Sequence, residues 1–225
     1  MRLNPMKPTA LAVAAALLAL VPAAPTVAQM SQPTTYKDTS MVKPPAGARV
    51  AIVEWEDLEC PACAHAAPIV HQAIEHYHIP LVRYDFPLRM HIWSRNAAII
   101  ARYIQDKISP QAATEYRLAV FQNQNSIASV DDLQNFTQHF FQAHGRTMPF
   151  VIDPNGTFAK EVAADQAVGD RLGLQHTPTI FVVAQGHAPE EVNDINNLYS
   201  MIDTAIAETG GPEGAHHGRT TTAHK

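Results

Sequence analysis

Cysteine is nearly missing from this chain: 225 residues contain two, Cys60 and Cys63. A disulfide stabilises mainly by closing a long loop in the unfolded chain, and a bond between these two would close almost none. A fold stapled by disulfides is therefore excluded, and a lone Cys-x-x-Cys pair is better explained by chemistry. Aromatic residues are also scarce, at 7%. Basic residues (16) are fewer than acidic ones (21), and they form no cluster. That balance argues against nucleic acid and against anionic membrane surfaces as partners. No Gly-rich phosphate loop, Ser-His-Asp arrangement or internal repeat stands out. The apolar run Leu11 to Val21 is too short for the about 20 residues that cross a bilayer.

What that run does fit is a secretory signal peptide over residues 1–28. Arg2 and Lys7 precede it, and Thr26-Val27-Ala28 offers the small residues a signal peptidase reads. A retained membrane anchor is the alternative, disfavoured by length; no Cys follows the run, so a lipid anchor is disfavoured too. The mature chain is expected to begin near Gln29. It would then keep 14 basic residues against 21 acidic ones, a net charge of −7.

Residues 29–47 read as a polar linker containing Pro33, Pro44 and Pro45. Val50 to Val53 is a continuous apolar run, as in a strand covered on both faces. Ala64 to Tyr77 suits a helix, with Ala67, Val70 and Ile74 on one side and Pro80 as its stop. Leu81 to Phe86 reads as a second strand, so the opening pattern predicts a parallel βαβ unit. Three helices follow without a strand between them. Ser94 is the expected cap of the first, which carries Ala97, Ile100, Ala101, Ile104 and Ile108. Ser109-Pro110 starts the second, with Tyr116, Val120 and Phe121. Ser129 opens the third, with Leu133, Phe136 and Phe140 inward and Gly145 as its stop. Asp153-Pro154-Asn155-Gly156 is a turn. A helix over 157–172 then ends at Gly173, and Thr179 to Val183 is a strand. Gln185-Gly186-His187 turns the chain toward a weakly marked strand near Glu191-Val192. Asp194 caps a last helix carrying Ile195, Leu198, Ile202 and Ala205. Residues 210–225 read as a disordered tail.

Pro61 suits the first turn of a helix, which places Cys60 at the N-cap. Free N–H groups and the helix dipole favour negative charge there, so the Cys60 thiolate is stabilised. Cys63, one turn inward, can then attack a mixed disulfide formed at Cys60. Half of a zinc site is the rival, but zinc needs four ligands and no second pair exists. His65 reads as a helix-surface residue. Glu54 ends the apolar strand six positions earlier. Buried, its carboxyl would hold a proton at neutral pH and could exchange protons with Cys63. Otherwise it sits exposed at the strand end, beside solvated Glu56, Asp57 and Glu59. His71, His76 and His78 could suggest a metal cluster but fit a polar helix face equally. His216, His217 and His224 fall in the tail. Phe136, Phe140 and Phe141 read as core.

The segment Glu54-Trp55-Glu56-Asp57-Leu58-Glu59-Cys60-Pro61-Ala62-Cys63 resembles the active-site segment of the DsbA-like thiol–disulfide oxidoreductases of the thioredoxin superfamily. His176-Thr177-Pro178-Thr179-Ile180-Phe181-Val182 is similar to their second active-site loop. The helical stretch resembles their inserted domain, and Pro87-Leu88-Arg89-Met90-His91, leading into it, is also similar. The resemblance covers most of Val50 to Glu208 and implies an α/β class, a thioredoxin fold with an inserted all-helical domain. Its parts would be residues 48–92 and 146–209 for the thioredoxin-like domain and 93–145 for the insertion.

By the same match Cys60 would be the nucleophile, Cys63 the resolving thiol and Glu54 the family's buried acid. Pro178 would be the cis-proline, exposing the backbone of Thr177 to an extended substrate segment. Ala62 stands where the best-known DsbA motif has His, which removes one source of thiolate stabilisation. His176 stands where relatives often have a small residue; it could approach Cys60 and replace that charge, or face solvent as an ordinary loop residue. The resemblance implies a periplasmic or otherwise extracytoplasmic enzyme acting on Cys-containing exported proteins. It also implies a DsbB-like membrane redox partner, and neither cofactor nor resident metal. An oxidase is expected; an isomerase or reductase is the same-class rival. A non-catalytic peptide-binding or chaperone module with a fixed disulfide is the other.

Overall fold

A computed structural model of the protein describes residue 36 and residues 38–211. The segment read as a signal peptide, part of the segment read as a linker, and nearly all of the tail lie outside the described residues.

The apolar run extends further than Val53. Strand β1 covers Val50–Glu56, and all seven of its residues are buried. It pairs in parallel with β2 (Leu81–Asp85), Ile52 opposite Leu81 and Glu56 opposite Asp85. On its other edge it pairs antiparallel with β3 (Thr179–Ala184), Ile52 opposite Val182 and Glu54 opposite Ile180. The two-residue β4 (Glu190–Glu191) completes the sheet in the order β2-β1-β3-β4.

Alternation along a strand sends successive side chains to opposite faces. Val50 and Ile52, with Ile180 and Val182, pack against Ala66, Val70 and Ala73 of α1 (Pro61–Tyr77) and Leu198 and Ile202 of α6 (Leu198–Thr209). Ala51, Val53 and Trp55, with Phe181 and Val183, pack against Val168 and Leu172 of α5 (Thr157–Leu172). The segment read as a linker contributes to this second layer: Val42 is buried in it, and Tyr36 meets Phe181 edge-on. A chain stretch of low hydropathy still anchors itself where one apolar side chain finds a sheet face.

Between β2 and α5 run the three predicted helices: α2 (Ser94–Lys107), α3 (Pro110–Asn123) and α4 (Val130–Ala143). Ser109 and Ser129 cap α3 and α4 by accepting from Ala112 N and Asp132 N. Ser94 does not cap α2. It is the helix's first residue and is buried, and the Glu59 carboxylate accepts from the N–H groups of Trp93 and Ser94 instead, at 2.7 and 2.9 Å. Asp194 likewise caps a short 3-10 turn at Ile195–Asn197, and α6 proper begins at Leu198. The third apolar cluster joins Ala97, Ile104, Tyr116, Val120, Leu133 and Phe141 of these helices to Cys60, Cys63 and Ala67. Phe141 is its buried member from the aromatic trio, with Phe136 and Phe140 packed at the margin. The cysteine pair thus sits where the sheet layer and the helical layer meet.

Candidate active site

Cys60 is the N-cap of α1, in extended backbone, with Pro61 opening the helix. Both cysteines carry free thiols. Cys60 keeps a small exposed surface (6%), whereas Cys63 has none, and Pro61 and Ala62 between them are exposed. The Cys60 thiol is pulled down to about 5, chiefly because the Cys63 thiol hydrogen-bonds to it. Burial opposes that shift; Thr177 and the backbone N–H groups of Cys63 and Ala62 assist it. The counterpart is that Cys63 is pushed well above its ordinary value, by burial first, then by the Cys60 hydrogen bond and charge. One sulfur is a thiolate at neutral pH while the other keeps its proton.

Thr177 faces this sulfur from the far end of the chain. As a thiol, Cys60 Sγ donates to the Thr177 carbonyl oxygen at 3.3 Å. A carbonyl cannot stabilise the thiolate. The Thr177 hydroxyl, buried and without a hydrogen-bond partner among the described residues, is the group of Thr177 that can donate to it. The peptide bond between Thr177 and Pro178 is cis.

Glu54 lies within β1, not at an exposed end, and only 2% of it is accessible. Strand alternation puts it on the α1 side of the sheet, in line with Val50 and Ile52. Its Oε1 has no hydrogen-bond partner among the described residues. Burial, then the charge of Glu56, raise its pKa to about 8, against the pull of Arg83 and Arg117. It therefore carries a proton at neutral pH, and its charge, when present, acts on Cys63.

The exposed-end alternative for Glu54 also fails for its neighbours, since Glu56 and Asp57 are buried and Glu59 is half-buried. Each has work that periodicity does not reveal. Glu56 meets Arg117 Nη1 at 2.6 Å and Arg83 Nε at 3.1 Å. Arg117 also reaches Asp85, at 2.7 Å, and Asp85 pairs in turn with Arg102, which also binds Asp165. Arg117 was hidden in plain sight: it falls at helical spacing between Ala113 and Val120, an arginine inside an apolar stripe. Asp57 organises the loop before Cys60. Its carboxylate accepts from Glu59 N, Leu88 N and His91 Nδ1, each at 2.7 Å, and its own N–H donates to Cys63 Sγ at 3.4 Å. Gln124 Nε2 donates to the carbonyl oxygens of Leu58 (2.8 Å) and Cys60 (3.1 Å).

Of the two alternatives open for His176, the structure matches the solvent-facing loop residue. Its ring is exposed and turned toward Thr179 Oγ1 (3.5 Å) and Glu191 (3.9 Å). It does not figure among the groups that shift Cys60. Of the other histidines, His71 pairs with Arg83 at 3.1 Å, and His76 stacks edge-on with Tyr77. Among the described residues no group of three or more His, Cys, Asp or Glu is placed to hold a metal, and no helix is long and apolar enough to cross a membrane.

The family described as Thioredoxin matches residues 37–204. Among solved structures, ScsC of Proteus mirabilis is similar with a TM-score of 0.58 and 16% identity, over 73% of this chain and 71% of its own. Alpha-DsbA1 of Wolbachia pipientis is similar at 0.56 and 15%, over 77% of this chain and 98% of its own. DsbA2 of Pseudomonas aeruginosa follows at 0.54 and 20%, over 72% and 91%. No curated protein matches the sequence. At these identities the structural likeness speaks to the fold, an α/β sheet of thioredoxin type with a helical insertion.

Proposed function

The chain belongs to the thioredoxin family, and from that premise we propose that it is an exported, DsbA-like enzyme exchanging dithiols and disulfides in other exported proteins. The observation that carries this reading is the split between two neighbouring sulfurs. Cys60 is lowered to about 5 at the mouth of a helix, while Cys63 is raised and sealed beneath it. Thiolate attack and its reverse need such a pair, with one group to meet the client and one to resolve.

In the oxidising direction a client thiolate attacks Cys60 in the Cys60–Cys63 disulfide. A client–Cys60 bond forms, the bond between the pair breaks, and its electrons leave on Cys63. Protonated Glu54 supplies the proton that Cys63 takes up. A second client thiolate then attacks the client sulfur of the mixed disulfide, which closes the client's disulfide and releases Cys60 as thiolate. Beside cis Pro178, the backbone of Thr177 is the edge an extended client segment would pair with. Stabilising the Cys60 thiolate stabilises the dithiol form, which favours giving the disulfide away; this supports an oxidase over an isomerase or reductase. Reoxidation calls for a membrane partner of the DsbB kind, and the Arg2-to-Ala28 pattern supports a periplasmic site of action.

The test couples two measurements: the equilibrium of the cysteine pair against glutathione, and oxidative refolding of a reduced test protein. With Ala62 in place of His, the potential is expected below the about −120 mV of DsbA. Refolding should accelerate over the glutathione buffer alone. No acceleration contradicts the enzyme reading, and selective repair of wrongly paired disulfides contradicts the oxidase direction.

A further inference from the structure

The geometry points to His91 as a positioning residue for the resolving step, acting on Cys63 through Asp57. This deepens the proposed function and rests on it.

Three donors converge on the Asp57 carboxylate, which is sealed from solvent. Two are backbone groups, Glu59 N on Oδ1 and Leu88 N on Oδ2. The third is the imidazole of His91, whose Nδ1 stands 2.7 Å from Oδ2, so His91 is the side chain of the set. Asp57 itself turns its main-chain N–H onto Cys63 Sγ. His91 therefore reaches the inner sulfur through one intervening residue: imidazole to carboxylate, then backbone N–H to sulfur. That N–H favours the Cys63 thiolate, against burial and the Cys60 charge. The imidazole is the second donor on Oδ2, beside Leu88 N; without it the carboxylate keeps only its two backbone donors, and the aim of the Asp57 N–H at the sulfur is held less tightly.

The consequence falls on one chemical step. Attack by Cys60 uses a sulfur held by the helix N-terminus, the Cys63 thiol proton and Thr177, whereas the Asp57 N–H that His91 steadies meets Cys63 as an acceptor. Attack by Cys63 on the Cys60 mixed disulfide uses the sulfur that Asp57 N–H steadies. A latch that merely held residues 87–91 in place would not separate the two.

Ellman's reagent separates them. The Cys60 thiolate attacks its disulfide, forming a mixed disulfide and releasing one thionitrobenzoate. Cys63 loses its proton and attacks Cys60, forming the Cys60–Cys63 bond and releasing the second. The reduced full-length protein, His91→Ala and His91→Asn are followed by stopped flow at 412 nm. The amide of His91→Asn can donate from close to the position of Nδ1. The expected result is an unchanged first phase in all three proteins. The second phase should be slower on the order of tenfold in His91→Ala and largely restored in His91→Asn. Should His91→Ala fail to fold, His91→Gln, whose amide lies one carbon further out, takes its place. A second phase of wild-type rate in the Ala or Gln variant overturns the inference and leaves the proposed function standing, as does equal slowing of both phases. A wild-type protein that releases no second equivalent overturns the proposed function itself.

Discussion

Cys60 Sγ and the carbonyl oxygen of Thr177 stand 3.3 Å apart although the two residues are 117 positions apart in the chain. The fold achieves this by pairing β1 with β3 in register, so that the residues just after one strand meet the residues just before the other. The reactive sulfur is thereby flanked by a helix N-terminus on its own segment and by a backbone edge from the distant one.

The Cys60 thiolate depends first on its partner. Replacing Cys63 by Ala removes the thiol that hydrogen-bonds to it, the largest cause of its lowered pKa. Thiolate absorbance at 240 nm should titrate near pH 5 in the reduced wild-type protein and distinctly higher in Cys63→Ala. An unmoved midpoint would assign the shift to the helix terminus alone.

Glu54 imprints a pH dependence on stability. Folding raises its pKa from 4.5 to about 8, so across that interval the folded protein holds a proton the unfolded chain has released. Stability from this group is present below pH 4.5, falls as pH rises to about 8 and is level beyond. The reduced protein adds an opposite slope, because Cys60 falls from 9.0 to about 5 and gains stability as pH rises. The disulfide form isolates Glu54. Urea titrations of that form should show Glu54→Gln gaining on wild type by roughly 3–5 kcal/mol between pH 4.5 and 8. A pH-independent difference would contradict the buried, protonated state.

Arg117 holds two buried carboxylates, Glu56 and Asp85, at the joint between α3 and the sheet. Arg117→Met leaves both without that partner, and breaking a buried pair from one side costs about 3–5 kcal/mol. Denaturant unfolding checks this. The same variant should raise the pKa of Glu54 further, since Arg117 lowers it.

Gly169 is packed against the rings that back the sheet. A Cβ there would meet Phe86 Cε2 at 2.5 Å and Trp55 Cδ1 at 3.2 Å. In an open helix Gly→Ala gains about 1 kcal/mol, whereas overpacking costs about 1–3 kcal/mol. Gly169→Ala is therefore expected to lower the unfolding midpoint; a rise would mean that the Phe86 ring yields freely.

What could be read in the sequence was local. Ser109-Pro110, Ser129, Gly156 and Gly173 mark helix ends through the two or three residues beside them: α3 and α4 start at the first two, and α5 starts and stops at the glycines. The Cys60 N-cap follows from Pro61 in the same way. What could not be read depended on distant partners. Glu59 became the cap of α2 because a turn 35 residues away came to it. Glu56 and Asp57 look like solvated strand-end charges until Arg117 and His91 arrive. His176 could approach the thiol or face solvent on its neighbours alone, and its exposed ring 3.9 Å from Glu191 is seen only in the folded chain.

Cys60 is the sulfur expected to meet another protein, and Cys63 is not. Cys63→Ala and Cys60→Ala variants, each reduced, can be mixed with a protein carrying a strained disulfide and quenched with acid. In Cys63→Ala the Cys60 thiolate should attack that disulfide, release one client thiol and remain as a mixed disulfide seen as the summed mass. Cys60→Ala should give no adduct. Adducts through Cys63 alone, or through neither residue, would contradict the account.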